Sequence, residues 1–257
     1  MTAPATRAVL AAVTADGAEA RFVGGCVRDA LLSRPVGDVD IATPEPPERV
    51  LALLARAGIK AIPTGIDHGT VTAVKDGTPF EITTLRRDVE TYGRRAKVAF
   101  SDSWREDAAR RDFTMNALSC TPDGRVFDYF GGLADLEARR VRFVGDAATR
   151  IREDVLRLLR FFRFYAHYGS PPPDGEALAA CRELAPLLPT LSAERVRAEV
   201  LRLLAAPDPC PALALMRDNG ILDRVLPAAA GLDRLRGLVI LGATEEAGRA
   251  AGRRRAA

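Results

Sequence analysis

Arg21-Phe22-Val23-Gly24-Gly25 runs straight into Cys26-Val27-Arg28-Asp29, and Asp38-Val39-Asp40-Ile41-Ala42 follows a short way downstream. The first run reads as a short strand ending in a glycine turn, with a helical stretch from Cys26 to Ser33 behind it. The second alternates polar and apolar residues with period two, which predicts a strand with Asp38 and Asp40 on one face. Two carboxylates that close repel each other unless a cation sits between them. Oxygen-only ligands of this kind suit Mg2+ completed by substrate phosphates. Gly24 and Gly25 carry no side chains, so a triphosphate can approach their backbone and meet N–H groups at a helix start. A D-x-D pair by itself is as readily a solvated strand end; the strand–glycine–helix unit before it is what points to phosphate chemistry.

Outward from this core, Pro44 to Pro47 open an amphipathic helix through Ala57. The β-branched runs 69–74 and 79–85 flank Asp76-Gly77, a strong hairpin signal. Glu81 lies inside the second run and reaches the same site from a neighbouring strand. The charged stretch Arg86 to Arg111 is long enough to hold a mobile loop, and two further strands are expected at Arg125–Tyr129 and Val141–Val144. From Ala147 the period becomes helical, through Ile151–Tyr168, Glu176–Leu188, Ala193–Leu204 and Pro211–Leu226, with Pro171-Pro172-Pro173 between two of the helices. Residues 1–145 therefore read as a mixed α/β domain, 146–205 as a helical one, and 206–257 as a partial helical body. Its Ala/Gly/Arg-rich end, Thr244 to Ala257, has no apolar face and is expected to be disordered.

Composition narrows the classes. The 257 residues are 47% hydrophobic and 28% charged, which excludes a disordered or fibrous chain. No apolar run is long enough to span a bilayer, and Met1 to Leu10 lack the pattern of a secretory signal. Cys26, Cys120, Cys181 and Cys210 lie far apart, as expected of reduced cytoplasmic thiols rather than a disulfide framework or a zinc site. The net charge is only +3, yet all but three of the 37 basic residues (Lys60, Lys75, Lys97) are arginine. Arginine's planar fork suits phosphate and RNA partners; a GC-rich coding sequence would also enrich it, so composition does not decide the function.

The motif Gly24-Gly25-Cys26-Val27-Arg28-Asp29 with Asp38-Val39-Asp40 resembles the head-domain signature of class II tRNA nucleotidyltransferases, the CCA-adding enzymes, and bacterial poly(A) polymerases. Three later segments resemble the same family in the same order: Arg110-Arg111-Asp112-Phe113-Thr114-Met115-Asn116 its ribose-selecting segment, Glu153-Asp154-x-x-Arg157 with Arg160 and Arg163-Phe164 its base-reading motif, and Leu191 to Arg195 the start of the helix bracing that reader. The resemblance implies an α+β fold: a five-stranded, polymerase-beta-like nucleotidyltransferase head on a small mixed sheet, then an all-helical neck and a shortened body. Asp38 and Asp40 would hold two Mg2+, one activating the primer hydroxyl and one neutralising the leaving pyrophosphate, with Glu81 as a further candidate ligand. Arg28 would meet phosphate, with Asp29 in an orienting role; Arg111 would belong to the nucleotide-binding set, Asp112 would hold the ribose 2′-hydroxyl, and Asn116 would support the ribose or triphosphate. From the residues themselves, Asp154 and Arg157 sit three apart on an expected helix and share a face, so a carboxylate acceptor and a guanidinium donor can read a base edge. The plain alternative is an intrahelical ion pair.

Phe161, Phe162, Phe164 and Tyr165 read as core, and His68 and His167 as structural. The expected reaction adds C, A or both to the tRNA 3′ end from CTP and ATP, in the cytoplasm, with no membrane and no protein partner evident. Poly(A) addition, CC-only or A-only addition, and a truncated RNA-binding paralogue stay open. Tyr92 to Val98 resembles the family's flexible loop. Family members carry a longer helical tail, so a naturally short relative and a truncated product are both compatible with this length.

Overall fold

A computed structural model describes residues 1–92, 95–226 and 237. The chain divides into two compact units, residues 1–138 with 142–146, and residues 139–141 with 147–257.

The first unit opens with α1 (Pro4–Val13), β1 (Arg21–Val23), α2 (Gly25–Leu31), β2 (Asp40–Thr43) and α3 (Pro47–Arg56). It continues with β3 (Lys60–Gly65), β4 (Thr70–Lys75), β5 (Thr78–Thr84), β6 (Arg86–Tyr92) and β7 (Arg95–Phe100). Then follow α4 (Trp104–Ala109), β8 (Ser119–Cys120), β9 (Val126–Phe127) and α5 (Gly132–Glu137). One mixed sheet has the order β3-β4-β5-β2-β1-β8-β9, and β6 and β7 form a separate two-stranded ribbon. Seven strands replace the five expected. The extra edge strand β3 carries Pro63, which a sheet tolerates at its edge because no ladder donor is required there.

Local chemistry explains these elements. Asp76 and Gly77 both have positive φ, 51° and 75°, as a tight two-residue hairpin turn requires, and they set the Lys75–Thr78 register of β4 against β5. In α3 Pro47 occupies the first turn, where its missing N–H is no loss, and Val50, Leu53 and Leu54 recur at helical spacing on the buried face. Helices α1 and α3 pack on β4 and β5, and Val71, Ala73, Phe80 and Ile82 are buried. Strand alternation turns Glu81 to the opposite face of the sheet from Phe80 and Ile82.

Two expectations change. The charged stretch after Arg86, long enough for a mobile loop, instead carries the β6–β7 ribbon and then α4, whose first turn is capped by the Ser103 hydroxyl accepting from the Glu106 N–H at 3.3 Å. Residues 93–94, within the Tyr92–Val98 segment read as a flexible loop, lie outside the described residues, as does the segment 244–257. Val141–Val144 is no strand; a single bridge between Phe113 and Phe143 takes its place.

The second unit is helical: α6 (Ala147–Glu153), α7 (Leu156–Tyr168), α8 (Gly175–Leu184), α9 (Ala193–Leu204), α10 (Cys210–Asp218) and α11 (Leu222–Val225). Helix α7 packs on α9 and α10, and Phe161, Phe162, Phe164 and Tyr165 are buried core residues, as expected of their spacing. His167 bonds the Arg202 carbonyl at 2.9 Å, a structural contact.

Candidate active site

In the first unit the site gathers around the parallel pairing of β2 with β5, where Asp40 stands in register with Glu81. Adjacent strands lie about 4.8 Å apart and parallel partners point to the same face, so these two carboxylates are neighbours. Asp38 lies in a bend just before β2, not on the strand. The period-two argument therefore fails for the pair, although Asp38 still acts on Asp40. Burial pushes the Asp40 carboxyl above the usual carboxylate range, and the charges of Glu81 and Asp38 push the same way, with Arg111 opposing.

This is acidic charge that a divalent cation relieves. Among the described residues no three His, Cys, Asp or Glu side chains form a ready metal-holding group. Two aspartates with a glutamate at hand fit a small hard cation that takes its other oxygens from a phosphate substrate and water.

Gly24 closes β1 with φ +73°, and its N–H donates to the Leu118 carbonyl at 3.1 Å. That N–H is not available to a ligand, contrary to expectation. The glycine is required for a second reason: a Cβ here would lie 2.8 Å from Nη1 of Arg111, whose guanidinium rests on the turn. Gly24→Ala should therefore destabilise the first unit by roughly 1–3 kcal/mol, because φ +73° with ψ −128° is a conformation open essentially to glycine alone, before any displacement of Arg111. A thermal unfolding midpoint equal to wild type would contradict this account.

Behind the turn runs a chain of polar contacts. Arg28, 7% exposed, donates to both carboxylate oxygens of Asp29 at 2.9 and 2.8 Å and to Asn116 Oδ1 at 2.6 Å. Asn116 in turn donates to Asp112 Oδ1 at 2.9 Å, which also accepts from the Phe113 N–H at 2.9 Å. Arg28 thus joins α2 to the Asp112–Asn116 turn, and Asp29 orients it as the sequence suggested. Gly25 sits beside it, the position of its absent Cβ being 3.6 Å from Arg28 Nη2.

In the second unit Asp154 and Arg157 do not share a helix. Asp154 lies in the break between α6 and α7, and α7 starts only at Leu156. The two are not each other's ion-pair partners in the contacts formed. Arg195, on α9, places Nη2 at 3.0 and 2.8 Å from the two Asp154 oxygens, and the Leu156 N–H donates to Asp154 at 3.1 Å. Arg157 pairs with Glu153 one turn earlier and donates to the Arg150 carbonyl at 3.0 Å. Further along α7 Arg163 donates through Nε to Glu199 at 2.6 Å and lies 4.4 Å from the Phe164 ring centroid, with Arg160 at 5.6 Å from the same ring. Glu199, 3% exposed, and Glu153 hold these arginines, and neither role was read from the sequence. The four-residue Glu153–Arg157 spacing was the available signal; the spacing of Glu199 pointed only to Arg202 on its own helix, because Arg163 lies on another.

Residues 20–142 match the Poly A polymerase head domain, and residues 173–232 the family described as a probable RNA and SrmB-binding site of polymerase A. The chain belongs to the class II tRNA nucleotidyltransferase and poly(A) polymerase family. The CCA-adding enzyme of Geobacillus stearothermophilus is 44% identical over 221 residues, 85% of this chain and 53% of the relative. The mitochondrial CCA tRNA nucleotidyltransferase 1 of Danio rerio is 41% identical over 222 residues, 85% of this chain and 52% of the relative. The chain spans about half the length of these curated family members. A crystal structure of the Bacillus stearothermophilus CCA-adding enzyme in complex with CTP superposes with a TM-score of 0.78 at 38% identity, covering 93% of this chain and 58% of that one. The family's polymerase-type nucleotidyltransferase fold generally works with a divalent metal ion. Among the described residues no helix is long and apolar enough to cross a membrane.

Proposed function

We propose that the chain is a tRNA nucleotidyltransferase that adds C, A or both to a tRNA 3′ end from CTP and ATP, releasing pyrophosphate and using no nucleic-acid template. The observation that carries this reading is the Asp40–Glu81 register beside the Gly24–Arg111 turn, an acidic pair next to a phosphate-sized cationic group. In this reading Asp38 and Asp40, with Glu81 in reserve, hold a divalent ion that we assign as Mg2+. Such an ion, when bound, favours the ionised primer hydroxyl and neutralises the leaving pyrophosphate. Arg111 takes up nucleotide phosphate, and Gly24 and Gly25 let it come close. Arg28 acts chiefly as a brace that keeps Asn116 and Asp112 in place, Asp112 meeting the ribose.

Asp154 and Arg157 read the base, each preset by its own partner, Arg195 and Glu153, with Arg160 and Arg163 flanking them. Because both are held by third residues, neither must first break a mutual ion pair to meet a base. The protein's own share of catalysis is then positioning and charge stabilisation. Four free cysteines, all buried, support a reducing compartment such as the cytoplasm.

The direct test is incubation with tRNA lacking its 3′ end, giving CTP and ATP separately and then together. Incorporation of C alone, then of A only after C, is expected for a CCA-adding enzyme. Long A tracts on mixed RNA would instead make it a poly(A) polymerase, and no incorporation from any nucleotide would overturn the reading.

A further inference from the structure

One buried carboxylate next to the site has no part in the mechanism above. Asp107 lies on α4 and is 4% exposed. Its two oxygens are divided between consecutive arginines: Oδ1 accepts from Arg110 Nε at 2.9 Å, and Oδ2 from Arg111 Nη2 at 3.1 Å. An ionised carboxylate is costly to bury unless it is paired and hydrogen-bonded. Here burial pushes the Asp107 carboxyl up, but Arg111 and Arg110 outweigh it and bring it below the usual range. The Arg111 guanidinium is therefore held at one edge by Asp107, while its Nη1 edge lies against the turn at Gly24. Arginine side chains are long and mobile, and fixing one in advance removes an entropy loss that phosphate binding would otherwise incur.

We propose that Asp107 is a positioning residue that sets Arg111 over the Gly24 turn, so that the guanidinium already faces the place where a nucleotide's phosphates arrive. The proposal rests on the reading of Arg111 as a phosphate contact. It assigns Asp107 no contact with substrate; the carboxylate acts through the arginine alone. Arg110, on the other oxygen, fixes the carboxylate in turn and keeps it from rotating away.

The role is separable from general folding because it concerns phosphate and not the nucleoside. Equilibrium binding of CTP and of cytidine is measured on the full chain for wild type, Asp107→Asn, Asp107→Glu, Arg111→Ala and the Asp107→Asn/Arg111→Ala double variant. Asp107→Asn should weaken CTP binding roughly 10- to 100-fold, the scale on which a misplaced binding group acts, and leave cytidine binding within about twofold. The double variant should bind CTP no more weakly than Arg111→Ala, because residues acting as one unit are not additive. Equal weakening of CTP and cytidine, or additive losses in the double variant, would overturn the proposal. If Asp107→Asn loses its helical circular dichroism, Asp107→Glu carries the test: it keeps the charge but shifts the oxygens, and CTP binding should fall while cytidine binding holds. Unchanged CTP binding in that variant counts against Asp107. A wild-type chain that binds no CTP overturns the reading of the site itself, a result distinct from wild type binding CTP with the Asp107 variants unaffected.

Discussion

Asp40→Asn will leave a folded protein that no longer transfers nucleotides. Incorporation into tRNA lacking its 3′ end should fall about a thousandfold or more, corresponding to a loss of roughly 4 kcal/mol of transition-state stabilisation. The same substitution should not destabilise the fold. Asp40 has its carboxyl pushed up by burial, Glu81 and Asp38, so the folded state binds its proton more tightly than the unfolded state does. A group shifted in that direction gives stability that is present at low pH and lost as pH rises through the folded value. At neutral pH, in the absence of divalent ions, an uncharged asparagine avoids the repulsion, and the unfolding midpoint should equal or exceed that of wild type. Asp38→Ala should abolish incorporation in the same way. Near-normal turnover in either folded variant would remove the metal site from the mechanism.

The second large effect is on selectivity. Arg157→Ala should blur the choice among CTP, ATP, UTP and GTP, because each good two-point base contact contributes about 1–3 kcal/mol, or roughly 5- to 150-fold. Turnover falls too, since a loosely held base misplaces the α-phosphate. The ion pair with Glu153 spans the break between α6 and α7, so a purely structural arginine predicts a loss of stability and no change in preference. Single-nucleotide incorporation with all four nucleotides separates the two, and intact selectivity would take α7 out of base choice.

How far the sequence carried depends on the distance over which each residue finds its partner. Asp76-Gly77 and the apolar spacing of Val50, Leu53 and Leu54 are local signals, and both elements form where expected. Strand β3 escaped notice because Pro63 and its exposed side chains erase the alternation of a half-buried strand. The ribbon β6–β7 is written in charged residues, which read as loop until a partner strand is known. At the site the split is the same. The residue types were legible in Asp38, Asp40, Asp154 and Arg157, but their arrangement was not. Asp154 looked like the helical neighbour of Arg157, yet its ion-pair partner is Arg195 on another helix. Asp107 had a readable clue in its spacing to Arg110 and Arg111, one helical turn on, which ordinary surface pairs share.

The parallel pairing of β2 with β5 also governs when this site can come into being. Parallel neighbours need a crossover, and here α3, β3 and β4 must all be laid down before Glu81 reaches Asp40. The Gly24 turn is completed later still, by the Leu118 carbonyl from just before β8. Contacts so far apart in sequence form slowly, because the chain loses its freedom before they compensate. A nascent chain on the ribosome therefore lacks the whole constellation until β8 has emerged, even though Asp38 and Asp40 left the tunnel long before. The acidic pair can form once β5 is in place, but the turn on which Arg111 rests closes only with the segment before β8, so an interrupted translation product of the first unit carries the motif without the site.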